Sequence, residues 1–195
     1  MAQPKRPLFS SMPGKPRYRP PTEDRLTRSA LHYLERYATS SANLRKVLER
    51  KVLKACTSLE LDPADYALMV DTVVETIVRN GLVDDRAYAE TKLAGLRRRG
   101  GSARKIEAKL AAKGVDRTTI EAVLQNDDAS DEDAARIFAR RRKLGPFRQK
   151  DRITRRDKDL AAMCRAGFSF DVARRIIDAD DDTDDFDRSG AADRV

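Results

Sequence analysis

A chain of 195 residues with 37% charged side chains, 40% hydrophobic ones and no tryptophan lacks the apolar mass for one thick core, and suits helices packed through narrow stripes. Its formal net charge of +8 and pI of about 9.6 imply an acidic partner: nucleic acid, an acidic protein surface, or both. Cys56 and Cys164 fit no metal or redox spacing and read as reduced and structural, while the missing apolar leader and membrane-length apolar run predict a soluble, cytoplasmic protein with no membrane partner.

Residues 1–22 hold six of the eight prolines, five basic residues and no acid, which predicts a disordered basic arm. From Glu23 the spacing becomes helical, through Leu26, Ala30, Tyr33, Leu34 and Tyr37. Ser40 and Ser41 offer a cap to a second helix, with Leu44, Val47, Leu48 and Lys51 at i, i+3, i+4 and i+7. Asp62-Pro63 predicts the start of a third helix, with Tyr66, Val70, Val73, Val74 and Ile77 on its apolar face and a stop at Asn80-Gly81.

The stretch 81–114 carries two further helices and the punctuation between them. Asp84 or Asp85 can cap the first, which carries Tyr88. Gly100-Gly101 ends it, Ser102 caps the next, Ile106 and Leu110 lie four apart on one face, and Gly114 closes it. A third helix follows with Ile120, Val123 and Leu124. Another copy opens at Asp131 with Ala134, Ile137 and Phe138, is interrupted by Leu144-Gly145-Pro146-Phe147, and resumes with Leu160, Met163, Cys164, Gly167 and Phe168, then Val172, Ile176 and Ile177.

These segments repeat. Ser40, Leu44, Leu48 and Lys51 align with Ser102, Ile106, Leu110 and Lys113 at a constant offset of 62, and Gly114 aligns with Gly167 at an offset of 53. The expected fold is all-α: an elongated array of three tandem three-helix repeats at 23–82, 83–128 and 129–178. A basic arm precedes it at 1–22. An acidic, disordered tail follows at 179–195; residues 178–195 hold eight aspartates against two arginines.

Two segments carry family resemblance. LVDDRAYA at 82–89, followed by RRRGGSARKIEAKLAAKGV at 97–115, resembles the central repeat of the RecX family, small bacterial regulators of the RecA recombinase. RAGFSFDVARRII at 165–177 resembles that family's last repeat. Asp84, Asp85, Tyr88, Gly101, Ile106, Leu110, Gly114, Gly167 and Phe168 are the motif positions. The resemblance covers about residues 25–177. The sequence departs from the pattern in its Asp-rich tail, in the extra residues CTSLELDPADYAL at 56–68, and in Ala166, where a second basic residue often stands. The resemblance implies a monomer that lies along the groove of the RecA–single-stranded DNA filament. There it would restrain filament growth, ATP turnover, strand exchange and co-protease activity.

Charge locates the expected contact surface. Residues 136–158 hold eleven basic residues against Asp151 and Asp157, and a smaller cluster lies at 97–105. Candidate contacts to RecA or DNA are Arg97, Arg98, Arg99, Arg104, Lys105, Arg140, Arg141, Arg142, Lys143, Arg148, Lys150, Arg152, Arg155 and Arg156. Phe147 is the only aromatic residue between Phe138 and Phe168, so a stacking platform is missing and the cations are expected to hold phosphates or carboxylates without reading bases. Neutralising about six phosphates on a duplex would give a slope of roughly −5 in log K against log salt.

Catalytic readings are weak. His32 has no second histidine or cysteine nearby, Asp84-Asp85 is explained by helix capping, and Gly100-Gly101-Ser102 lacks phosphate-loop spacing. No enzyme activity, metal or cofactor is expected. The alternative to a RecA regulator is a non-sequence-specific architectural protein of helix-turn-helix-like modules that binds naked DNA.

Overall fold

The structure, a computed structural model, describes residues 18–179. Most of the basic arm and the acidic tail beyond Ala179 lie outside those residues. The described chain is all-helical: α1 (Glu23–Leu34), α2 (Ser41–Leu59), α3 (Ala67–Arg79), α4 (Asp85–Arg97), α5 (Ala103–Ala112), α6 (Arg117–Gln125), α7 (Asp131–Arg142), α8 (Arg152–Arg165) and α9 (Phe170–Asp178). Among the described residues it divides into two compact units, residues 18–37 with 44–82, and residues 38–43 with 83–179.

In the first unit Thr22 caps α1, its hydroxyl accepting from the Arg25 N–H. Leu26 and Ala30 of α1 are buried, as are Leu44, Val47, Leu48 and Val52 of α2 and Val70, Val73, Val74 and Ile77 of α3. An Arg45–Asp71 ion pair spans the same unit. The expected helix start at Asp62-Pro63 is instead a separate 3-10 turn, Pro63–Tyr66. Asp62 caps it at 2.9 Å from the Ala64 N–H, and α3 begins only at Ala67. Tyr66 therefore stands at the helix boundary, half-buried, and Leu68 points outward.

The second unit holds two cores. Tyr88, Ala89 and Leu93 of α4 meet Ile106 and Leu110 of α5 and Ile120 and Val123 of α6. Fully burying Ile106 and Leu110 contributes about 1.5–3 kcal/mol each. The other core joins Ala134, Ala135 and Ala139 of α7 to Leu160 and Met163 of α8 and to Ala173, Ile176 and Ile177 of α9. Here the structure differs from the expected α7 face. Alanines supply the buried stripe, so α9 packs against α7, while Ile137 and Phe138 are only half-buried. The Phe138 ring reaches that of Phe168 at 5.7 Å between centroids.

The constant sequence offsets correspond to one joint built twice inside this unit. Ser102 Oγ accepts from the Lys105 N–H at 3.3 Å, capping α5, and donates to the Ala166 carbonyl at the end of α8 at 2.8 Å. Ser40 Oγ accepts from the Asn43 N–H at 3.2 Å and donates to the Lys113 carbonyl at the end of α5. Asp85 accepts from the Ser41 N–H at 2.7 Å, and Asp131 likewise from the Ala103 N–H at 2.9 Å. Gly114 and Gly167 sit beside these joints at φ +76 and +95, where a Cβ would stand 2.5 Å from Ala42 Cβ and from Ser102 Oγ respectively. Asp84 caps its own helix, taking the Arg86 and Ala87 N–H groups at 2.8 and 3.0 Å. The adjacent aspartates thus cap two different helices.

Candidate polyanion-binding cleft

Gly100 brings the two basic clusters together. It turns the chain after α4 at φ +76 and lies so close to α7 that a Cβ would meet the Phe138 backbone nitrogen at 2.6 Å. The end of α4 is thereby laid beside the last turn of α7. Both helices carry arginines in that last turn, where the carbonyl end of the helix dipole favours cations. Arg141 donates to the Arg99 carbonyl at 3.4 Å across the approach.

An open cleft of about 510 Å³ results, lined by Leu96, Arg99, Gly100, Gly101, Lys105, Lys109, Phe138, Arg141, Arg142 and Ala166. A second lobe of about 410 Å³ shares Lys105, Phe138, Arg142 and Ala166 and adds Leu144, Ala162 and Arg165. Six cations from α5, α7, α8 and the turn after α4 converge on the two lobes, and no carboxylate lines either one. The Arg142 guanidinium lies over the Phe138 ring at 5.9 Å, a geometry that holds it without neutralising it. Such a surface can bind phosphate or carboxylate oxygens; it has no arrangement for reading base edges.

Only four of the candidate contacts, Arg99, Lys105, Arg141 and Arg142, line this cleft. Arg97 does not. It is 9% exposed, and its guanidinium pairs with Asp127 and Asp131 at 2.6 Å each and donates to the Gly101 carbonyl at 3.0 Å. Burial alone would lower its pKa, but the bonds to Asp131 and Asp127 push it above the ordinary guanidinium value. Arg148 is paired with buried Asp159 through two hydrogen bonds, at 3.0 and 2.7 Å. Arg156 grips Asp178 at 2.7 Å through two nitrogens, and Arg152 donates to the Ala179 carbonyl. Arg140 stacks over Phe147 at 5.4 Å. Arg98, Arg104, Lys143, Lys150 and Arg155 are exposed and do not line the cleft.

Charge clustering along the sequence does not single out Lys109 or Arg165. The signal for Lys109 is its spacing of four from Lys105 on α5; Arg165 is the basic residue that opens RAGF. Ala166, where a second basic residue often stands, lies on the floor shared by both lobes.

Elsewhere, His32 lies at the surface 3.3 Å from Glu35. Cys56 is buried, its thiol pushed up by burial and by Asp62 and Asp65, whereas Cys164 is exposed and so does not fill a core. Among the described residues there is no grouping of three or more metal-ligating side chains, and no helix is long and apolar enough to cross a membrane.

Fold and cleft together define an all-helical protein of small repeated helical modules with a basic surface on one unit. The second three-helix domain of RecX matches residues 84–124. The regulatory protein RecX of Myxococcus xanthus is 42% identical over 171 residues, spanning 86% of this chain and 90% of the relative. That of Agrobacterium fabrum is 33% identical, over 76% and 79% of the two chains. The chain belongs to the RecX family of regulatory proteins. The crystal structure of RecX from Lactobacillus salivarius shares the fold, with a TM-score of 0.59 at 22% identity over 80% of this chain and 94% of that one.

Proposed function

We propose that this protein regulates RecA by binding the RecA–single-stranded DNA filament, and that the basic cleft is its contact with DNA phosphate or acidic RecA side chains. Binding there restrains ATP turnover, strand exchange and co-protease activity. The observation that supports the reading most directly is the convergence of six cations from three helices and the turn after α4, with no acid among them. Membership of a regulatory family and the net charge of +8 agree with it. The chain acts as a monomer, and its remaining exposed cations add weak, non-specific attraction.

The test is RecA ATP hydrolysis on single-stranded DNA with this protein titrated from far below one copy per RecA protomer. The wild-type chain should inhibit well below the amount that coats the DNA. Arg141→Glu with Arg142→Glu should raise the concentration needed at least about tenfold, with the helical circular-dichroism signal unchanged; each lost charged contact is worth about 1.5–3 kcal/mol. Unchanged inhibition would sink the cleft assignment. Inhibition only at saturation of naked DNA would instead mean competition for phosphate by an architectural protein. If six cations each neutralise a phosphate, log K for naked single strands should fall with log salt at a slope of about −4.

A further inference from the structure

Phe138 and Arg142 stand four residues apart on α7, and each lines both lobes of the cleft. They form the outer part of a stack that runs from the core to the surface. Phe168, 4% exposed, is its buried end. The half-buried Phe138 ring leans on it at 5.7 Å between centroids, with 57° between the ring planes. The Arg142 guanidinium lies over Phe138 at 5.9 Å, and Arg142 itself is exposed. A guanidinium is planar and weakly hydrated, so one covered by a ring on one side still offers its other face to a second flat group.

The lining of the cleft suits such a guest. Leu96, Phe138 and Ala166 give the larger lobe apolar surface beside its cations, Leu144, Ala162 and Ala166 do so in the smaller, and no carboxylate lines either. At about 510 and 410 Å³, each lobe falls within the size range of small-molecule sites. An acidic side chain would use the cations and leave the apolar surface uncovered. A nucleotide uses both, through its phosphate and its base. In a duplex the bases are already stacked and paired, and turning one out costs free energy; a single strand presents them unpaired.

From this placement we infer that the Phe138–Arg142 pair is a base-stacking platform, on which the cleft seats an unpaired nucleobase and so gains from single strands a contact that a duplex withholds. The inference rests on the cleft reading proposed above and names the feature of the nucleic acid that the cleft selects. Every base has a flat face, so stacking here selects for strandedness and not for sequence. Holding Arg142 over the ring beforehand also lowers the ordering cost of binding. The matching pair, Arg140 over Phe147 at 5.4 Å, lies outside both lobes and takes no part.

The experiment titrates the full chain against three fluorescein-labelled ligands of equal length: an oligothymidylate, the same strand with every base replaced by an abasic spacer, and a duplex. The wild-type chain should bind the oligothymidylate about fivefold to tenfold more tightly than the abasic strand, the gain expected from one stacked base. Arg142→Lys keeps the charge but loses the plane. It should cut that preference to below about twofold, while its affinities for the abasic strand and the duplex stay within about twofold of wild type. The salt slope should not change, because the number of cations is the same. Phe138→Leu should weaken the preference in the same direction with the helical circular-dichroism signal retained, and Arg140→Lys should keep it. Equal wild-type affinity for the oligothymidylate and the abasic strand overturns the proposal and leaves a phosphate-holding cleft in place. A base preference that survives Arg142→Lys, or is lost equally in Arg140→Lys, also overturns it. Failure to bind any of the three ligands removes the nucleic-acid reading of the cleft and this inference with it, and leaves acidic RecA side chains as the contact.

Discussion

The side chain of Arg97 is 10% exposed between Asp127 and Asp131, while Arg98 and Arg99, its neighbours in sequence, face solvent. A buried cation held by two carboxylates contributes little net stability as a set, but removing one member strands the others in a poorly solvated place. Arg97→Ala should therefore cost about 3–5 kcal/mol, read as a large drop in melting temperature, and Arg98→Ala should stay within about 0.5 kcal/mol of wild type. Similar melting of the two variants would show that the Arg97 pairs do not hold the fold. Asp159 is the acidic counterpart, 2% exposed. Its burial raises its pKa, but the Arg148 hydrogen bond and the Gly145 N–H outweigh burial and leave the carboxyl below its ordinary value. A depressed carboxylate adds stability that is complete above its unfolded pKa, about 3.9, and is lost as pH falls through the folded value. Urea midpoints should accordingly drop as the pH falls below about 4. Asp159→Asn should be less stable at pH 7 and show a smaller drop in acid; an undiminished drop would place the acid sensitivity elsewhere.

Helix ends in this chain are written with polar caps. Thr22, Asp84, Ser102, Asp116, Ser130 and Ser169 each accept a backbone N–H at the start of α1, α4, α5, α6, α7 and α9. That grammar is local, and for this reason the helices around residues 81–114 are legible in the amino-acid sequence itself. What a cap does beyond its own helix is not local. Ser102 also donates to the Ala166 carbonyl, so Ser102→Ala removes a cap and a bond between α5 and the end of α8 together. The expected cost is about 2 kcal/mol, seen as a lower denaturant midpoint with helical content retained at low denaturant. A change of only a few tenths of a kcal/mol would mean that the joint is not energetically coupled. The elements whose sequence signal misleads have equally local causes. Asp62-Pro63 suits a 3-10 turn as well as an α-helix, and alanines on α7 carry too little hydrophobic signal to mark the buried face.

At the scale of the whole molecule, sequence alone determined the all-helical class, the repeated helix-and-glycine pattern, the basic excess and the family. Each rests on residue type and short spacing, which are properties of the chain however it folds. The six-cation cleft did not follow from them. Arg99 and Arg141 are 42 residues apart, and they meet because Gly100 lets the backbone of α4 press on α7. Arg97, Arg148 and Arg156 look like their neighbours in the chain but are paired with Asp127 and Asp131, Asp159 and Asp178. A charge count is additive along a sequence. Whether a given charge faces solvent or a carboxylate depends on which helices pack, and only the tertiary structure decided that.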